Sequence, residues 1–301
     1  MAHKNPFPNC LSKSIFTNSN MKRFIISTAL CIACVVAAAQ DFHIFLTGGL
    51  INYQGDLQAK RFTFNQGHPY AGLGVLYEAT DQLYIRLGGI IGKISGDDKL
   101  GTLNKERNLN FQSQLIEVHL GVEYDIINSY EHTVAPYVFA GLAGYHFDPY
   151  TYDAAKNKVF LQPLGTEGQG FFLGRKKYSL TQVAVPAGGG IKMALSDAIN
   201  LRLEGGLRVL FTDYLDDVSN SYAGQDDLRA FSGQQAVDLA FRGDELGRTV
   251  AYPDATSKRG NPKSKDMYYT LGLSLSYRIQ GGNPYKNRPG KGKTGCPVNI
   301  Y

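Results

Sequence analysis

The stretch Asn200-Leu-Arg-Leu-Glu-Gly-Gly-Leu-Arg-Val-Leu-Phe211 decides the fold of this 301-residue chain. Side chains on a strand alternate between two faces. Leu201, Leu203, Leu207, Val209 and Phe211 therefore share one face, and Asn200, Arg202, Glu204, Gly206 and Arg208 share the other. The preceding stretch, Gln182 to Leu195, repeats the pattern, with Val183, Val185, Ile191, Met193 and Leu195 against Gln182, Gly188, Gly190 and Lys192. Only Ser196-Asp197 separates the two, which makes them a tight hairpin. In a soluble sandwich the apolar face is the core and the charged face meets water. In a membrane barrel the same alternation is inverted, with apolar residues on lipid and polar ones in the lumen.

The remaining chain favours the barrel. Amphipathic stretches recur at Phe42 to Tyr53, Pro69 to Ala79, Gln82 to Ile94, Asn110 to Ile126, Val134 to Phe147 and Met267 to Ile279, which brings the total to eight. Each reaches the roughly 9–11 residues that a tilted membrane strand needs. The connections alternate strictly in length. Thr80-Asp81, Asn128 to Thr133 and Ser196-Asp197 are short, whereas Gln54 to His68, Ser95 to Leu109, Asp148 to Ser179 and Leu215 to Asp266 are long and polar. Periplasmic turns and extracellular loops differ in this way, which places both termini in the periplasm of a Gram-negative cell. The expectation is an all-β, eight-stranded antiparallel up-and-down transmembrane β-barrel with long extracellular loops. Tyr53, Tyr70, Tyr124, Tyr145, Phe147, Tyr214, Tyr268 and Tyr277 stand near strand ends, where aromatic girdles are expected. No helical periodicity is visible beyond the leader.

That leader is the one long apolar run. Met21-Lys22-Arg23 supplies a positive n-region, Phe24 to Val36 an apolar core and Ala37-Ala38-Ala39 a cleavage site. The run is too short to span a membrane and reads as a secretory signal peptide. Acylation of Cys34 is a poorer reading, because Cys31 occupies the upstream apolar position. Residues 1–39 are thus an N-terminal extension plus a cleaved leader, 40–280 the barrel and 281–301 a periplasmic tail. Cys10, Cys31 and Cys34 leave with the leader, so Cys296 is the single thiol of the exported protein and a candidate for contact with a partner. Mean hydropathy is −0.22, which excludes a helical membrane bundle. The formal charge of +5 is modest. Its C-terminal basic residues, Lys286, Arg288, Lys291 and Lys293, form a tail feature and not a nucleic-acid groove.

Parity places Glu78, Arg86, Glu117, His119, Glu123, Lys192, Arg202, Glu204, Arg208 and Arg278 inside the barrel. Eight strands leave room for little more than side chains, so these charges are expected to pair as a plug instead of lining a pore. No catalytic constellation is read from them, because His119 and Glu117 have no serine at a spacing that requires contact. Two loop motifs stand out. Thr166-Glu167-Gly168-Gln169-Gly170 pairs turn-permitting glycines with side chains able to bond backbone. Thr212-Asp213-Tyr214-Leu215-Asp216-Asp217-Val218-Ser219 crowds carboxylates that need a cation or a basic partner. Calcium is one reading, although the spacing is not that of an EF-hand, and a solvated acidic loop is the other.

Several motifs in one order resemble a known family. Asn52-Tyr53-Gln54-Gly55-Asp56-Leu57, Arg107-Asn108-Leu109-Asn110-Phe111, Ala135-Pro136-Tyr137-Val138-Phe139-Ala140-Gly141 and the two loop motifs are similar to the PorG-type outer-membrane barrels of the type IX secretion system. That family is also catalogued as a domain of unknown function. The resemblance runs from Phe42 to Ile279. It implies a non-enzymatic outer-membrane component, without cofactor, that works with periplasmic ring subunits to export proteins bearing a C-terminal sorting signal. The alternatives are an adhesive or structural barrel and, third, a lipid-modifying enzyme.

Overall fold

The computed structural model describes residues 42–279 apart from 59, 61, 64, 102, 103, 173, 248, 249 and 256. The leader, the C-terminal tail and Cys296 lie outside the described residues. Among the described residues nine strands form: β1 (Phe42–Gln54), β2 (His68–Glu78), β3 (Leu83–Asp97), β4 (Asn110–Asp125), β5 (Val134–Tyr152), β6 (Lys158–Phe160), β7 (Thr181–Ala194), β8 (Ile199–Leu210) and β9 (Met267–Ile279). Eight of them close an antiparallel barrel in the order β4-β3-β2-β1-β9-β8-β7-β5, with β5 returning to β4. The seam between first and last strands is paired throughout, from Phe42 opposite Ile279 to Gln54 opposite Met267. Closure leaves no unpaired edge in the wall, which is what a sheet surrounded by lipid requires. The short β6 only folds back on Tyr150 to Tyr152 at the far end of β5.

The wall is apolar outside and charged inside. Ile44, Leu46, Leu73, Leu87, Val118 and Leu142 are exposed on the outer face, Leu142 at 71%. Between them Phe45, Arg86, Glu117, His119 and Arg202 turn inward and are buried. No helix among the described residues is long and apolar enough to cross a membrane, so any crossing rests with the strands.

Three sequence expectations are corrected. Of the eight girdle aromatics, Tyr53, Tyr70, Tyr145, Phe147 and Tyr268 point inward, and Tyr145 and Phe147 stack at 5.7 Å. They join Ile51, Ile94, Phe111 and Leu115 in an apolar core at the loop end of the barrel, continuous with the loops above it. Tyr214 is half-buried among those loops. Only Tyr124 and Tyr277 face outward, near Tyr77 at the turn end. Next, the long connections are folded and contain helix. α1 (Gln225–Ser232) and α2 (Gln234–Ala240) sit in the last of them, together with a 3-10 turn at Gly243–Leu246. Two turns bounded by Gly224 and Gly233 are too short to produce a periodic signal, and α1 buries only Leu228. Finally, β5 runs five residues past Phe147, because Tyr150 pairs with Gln112 on one side and Phe160 on the other.

Candidate functional site

Two polar assemblies are stacked along the barrel axis: one in the lumen, one in the loops. In the lumen, Arg86 grips Glu204 with two bonds of 2.6 and 2.8 Å. Tyr137 donates to the same carboxylate at 2.8 Å. Arg202 donates to Glu123, which also lies 3.3 Å from Lys192 and 3.5 Å from Arg86. Lys192 in turn reaches both oxygens of Asp125, at 2.8 and 2.9 Å. Nearer the loops, Glu117 accepts from Arg208 at 3.0 Å and from Tyr268 at 2.6 Å, and His119 Nδ1 lies 2.8 Å from its other oxygen. At the turn end, Glu78 accepts from Tyr130 at 2.5 Å and lies 3.2 Å from His43 and 3.5 Å from Arg278.

The structure therefore brings Glu78, Arg86, Glu117, His119, Glu123, Lys192, Arg202, Glu204, Arg208 and Arg278 to the inner wall, in two clusters and a turn-end group. Aromatic rings lie under the cations. Arg86 sits over Phe139 at 4.6 Å, Arg202 over Tyr137 at 4.6 Å and Lys192 over Tyr84 at 4.2 Å. Four buried cations thus pair with four buried carboxylates of non-adjacent strands, and Arg86 and Glu204 stand on opposite walls. Such pairing works against a desolvation cost of several kcal/mol per ion, and Arg202 Nε and Nη1, Arg86 Nε and Glu123 Oε1 are left without a hydrogen-bond partner. Asp125, Tyr137 and Tyr130 were not named among the lumen residues in the sequence, and Tyr268 was expected in a girdle. Asp125 could have been named, because it shares the parity of Glu123. Tyr130 could not, because it reaches the lumen from the turn between β4 and β5.

The four long connections interlock above the barrel. The two loop motifs meet directly: Thr166 Oγ1 donates to Asp217 Oδ2 at 2.5 Å. Glu167 accepts the backbone N–H groups of Ser219 and Asn220 at 2.9 and 3.0 Å. The glycines of the first motif permit this approach. Gly168 has φ +83°, and a Cβ there would stand 2.1 Å from the Phe172 ring. Gln169 turns back to accept from the Glu167 N–H at 2.9 Å.

Arg259 is the hub. Its guanidinium is 3.1 Å from Glu167 Oε1 and 3.7 Å from Asp217 Oδ2, and it also donates to the carbonyls of Asp217 and Ala240 at 2.5 and 3.1 Å. This buried arginine is the basic partner of Asp217 among the crowded carboxylates of the fourth connection. Nothing local in the sequence points to it. A second arginine, Arg107, holds Asp98 with bonds of 2.8 and 2.7 Å, and donates to the carbonyls of Arg259 and Asp56. Asp56 in turn accepts from the Asn261 N–H at 2.8 Å.

Burial dominates the titration of this cap. It lifts Asp217 to about 6, with Arg259, Thr166 and Tyr178 opposing the rise. Asp216 and Asp266 are pushed well up by burial and by neighbouring carboxylates, and both face the Tyr53 hydroxyl. Asp213 is raised to about 7 by burial and by Asp56 and Glu167, with Ser219 and Lys265 moderating the effect. Neither of its carboxylate oxygens has a well-formed hydrogen bond. Tyr214 stacks on Tyr178 at 4.8 Å and accepts from Asn220 at 2.5 Å. Among the described residues no group of three or more histidine, cysteine, aspartate or glutamate side chains is arranged to hold a metal ion. The chemistry on display is charge neutralisation.

A family profile described as a domain of unknown function (DUF6089) matches residues 22–238, and the chain belongs to that family. No curated protein matches the chain. Among solved structures it is similar to Neisserial surface protein A, with 10% identity over 79% of this chain and 96% of that one and a TM-score of 0.41. It is also similar to Ail, the attachment invasion locus protein of Yersinia pestis (8% identity, 79% and 98% covered, TM-score 0.39). A third is a major outer membrane protein from Thermus thermophilus (15% identity, 78% and 98% covered, TM-score 0.38). At these identities nothing of those proteins' function carries over.

Proposed function

We propose that this DUF6089 member is a non-enzymatic outer-membrane barrel that serves the type IX protein secretion machinery as an anchor and not as a conduit. The observation that carries the reading is the filled lumen: Arg86, Arg202, Lys192 and Arg208 are each paired inside the bore with a carboxylate of a non-adjacent strand, and side chains occupy the space a solute would need. A barrel with no free bore acts through its surfaces. An outer-membrane location is supported by the closed wall with an apolar exterior. The short connections and both ends of the described chain, Phe42 and Ile279, lie at one end of the barrel, which this reading places in the periplasm. The tail that follows, residues 281–301 with Cys296, then reaches the side where ring subunits stand. Its basic residues offer an acidic partner complementary charge.

The secretion role rests on the resemblance of the Asn52, Arg107, Thr166 and Thr212 motifs. In this chain those motifs build the interlocked cap. A second reading, an adhesive or structural barrel without a secretion role, is favoured by the cap itself, a folded, hydrogen-bonded surface at the loop end. Deletion separates the two, and the lipid-modifying alternative as well. Loss of a secretion component leaves sorting-signal cargo in the periplasm. Loss of a structural barrel sensitises cells to detergent while cargo still leaves, and loss of an enzyme changes the lipid profile.

A further inference from the structure

The first long connection does not stand clear of the barrel. Immediately after β1 the chain reverses in a tight turn, where Gly55 and Gln58 exchange backbone bonds of 3.3 and 3.1 Å. Phe62 and Thr63 then lie against the outside of the wall. Asn52 and Tyr269 stand opposite one another across the β1–β9 seam, on the outward parity of Leu50 and Leu271. Those leucines are each 42% exposed, yet Asn52 and Tyr269 are only 1% and 6% exposed. The cover is the segment around Thr63. Its carbonyl accepts from Asn52 Nδ2 and, at 2.6 Å, from the Tyr269 hydroxyl. Asn52 also donates to Tyr269 at 3.0 Å. Beside it, the Phe62 ring packs on the Tyr269 ring at 5.4 Å and is itself 63% exposed. Phe62 holds φ +52°, a conformation that a bulky residue keeps only when its surroundings impose it.

Polar groups on a lipid-facing wall need partners within the protein, and this segment supplies them. It also supplies what the loop end otherwise lacks, because five of the aromatics near that rim turn inward. From Phe42 to Asn52 the chain climbs about 25 Å along the barrel axis at the usual rise and tilt. That is about the height of the apolar band of an outer-membrane barrel, whose margins carry aromatic rings. We propose that the first long connection is a membrane strap that lays Phe62 against the outer-leaflet lipid, at the boundary between acyl chains and head groups. The occupant is lipid because the exposed ring is continuous with the apolar band through Tyr269, Leu271 and Leu50. The strap rests on the outer-membrane reading given above.

The chain contains no tryptophan, so one introduced ring is an unambiguous reporter. Three full-chain variants, Phe62→Trp, Leu273→Trp in the apolar band and Phe231→Trp on the cap, are inserted into phosphatidylcholine vesicles. The vesicles are prepared with and without acyl chains brominated near the head group, and iodide is the aqueous quencher. The expected result is that Phe62→Trp loses most of its emission to bromolipid and little to iodide, with Phe231→Trp behaving in the opposite way. If Leu273→Trp is quenched by bromolipid while Phe62→Trp is quenched only by iodide, the strap is wrong and the barrel reading stands. If Leu273→Trp is not quenched by bromolipid either, the membrane reading fails and the strap with it. Unsubstituted protein guards against misfolding of the variant: a photoactivatable phospholipid should label the peptide that contains Phe62, and its absence from the labelled set overturns the proposal.

Discussion

Arg259 and Glu167, 92 residues apart in the chain, meet at 3.1 Å with both side chains buried. This pair joins the third long connection to the fourth, and Asp217 shares the same guanidinium. Truncation by Arg259→Ala leaves two buried carboxylates facing one another. The expected cost is about 3–5 kcal/mol, confined to the cap. Limited proteolysis of the folded protein should then cut within residues 153–180 and 211–266 at protease doses that leave the native chain whole. Arg259→Lys should fall between the two, because one ammonium cannot serve four acceptors.

Asp213 makes the cap sensitive to pH. An unfolded cap loses this proton near 3.8 and the folded one near 7, so between those values the folded form holds more protons and loses stability as pH rises. Asp213→Asn removes this group's share of the dependence and leaves that of Asp217, Asp216 and Asp266. Hydrogen exchange in the 211–219 segment should be slower in the variant than in the native protein at pH 8, and the two should converge at about pH 4. A native cap that tightens with rising pH across this window contradicts the assignment.

Arg202 is the most buried cation in the lumen, and it faces Glu123 across the bore. Arg202→Met should lower stability by about 3 kcal/mol, since Glu123 keeps Lys192 but loses its nearest partner. The double change with Glu123→Leu should recover part of the loss. The temperature at which the folded band converts to the unfolded one on a semi-native gel reads both outcomes. In planar bilayers the native protein should pass no steady current.

Gly55 sits where the strap begins. A Cβ there would stand 2.0 Å from both Asp266 Oδ1 and the Tyr53 hydroxyl. Both are side-chain tips, but they are buried and bonded to each other, so they have little room to give, and Gly55→Ala should cost about 1–3 kcal/mol of overpacking. The expected signature is loss of cap protection from protease with the gel conversion temperature nearly unchanged.

The wall was legible in the sequence because its rule is local. Period two and the short-long rhythm of connections locate the eight barrel strands, and for the first and last (Phe42–Gln54 and Met267–Ile279) to within one residue. Parity alone then assigns Glu117, Glu123 and Arg202 to the lumen. Depth along a strand is a different matter. Tyr53 and Tyr268 lie at the right height for a girdle, but parity sends them inward, where the core of the cap begins. The fifth stretch was expected to end at Phe147, yet β5 continues through Asp148-Pro149, which stand opposite Gln114 and Ser113. The cap was legible only in pieces. The Glu167 and Asp217 motifs each announce a special loop, but nothing local says that they touch, and Arg259 lies 42 residues beyond Asp217. Contacts at that separation leave no periodic trace.

The seam has a further consequence for how the chain finds its register. If β9 slipped by two residues against β1, every side chain would keep its face, so the apolar exterior could not distinguish the slipped barrel from the correct one. The slip would, however, carry Asp266 about 6.6 Å along the strand, away from the Tyr53 hydroxyl and the Leu215 N–H that it meets in the structure. Asp266 immediately precedes β9, and Tyr53 lies at the end of β1. The first and last strands thus carry their own proofreading contact, and a misaligned closure is penalised at the rim by a buried carboxyl group with nothing to bond.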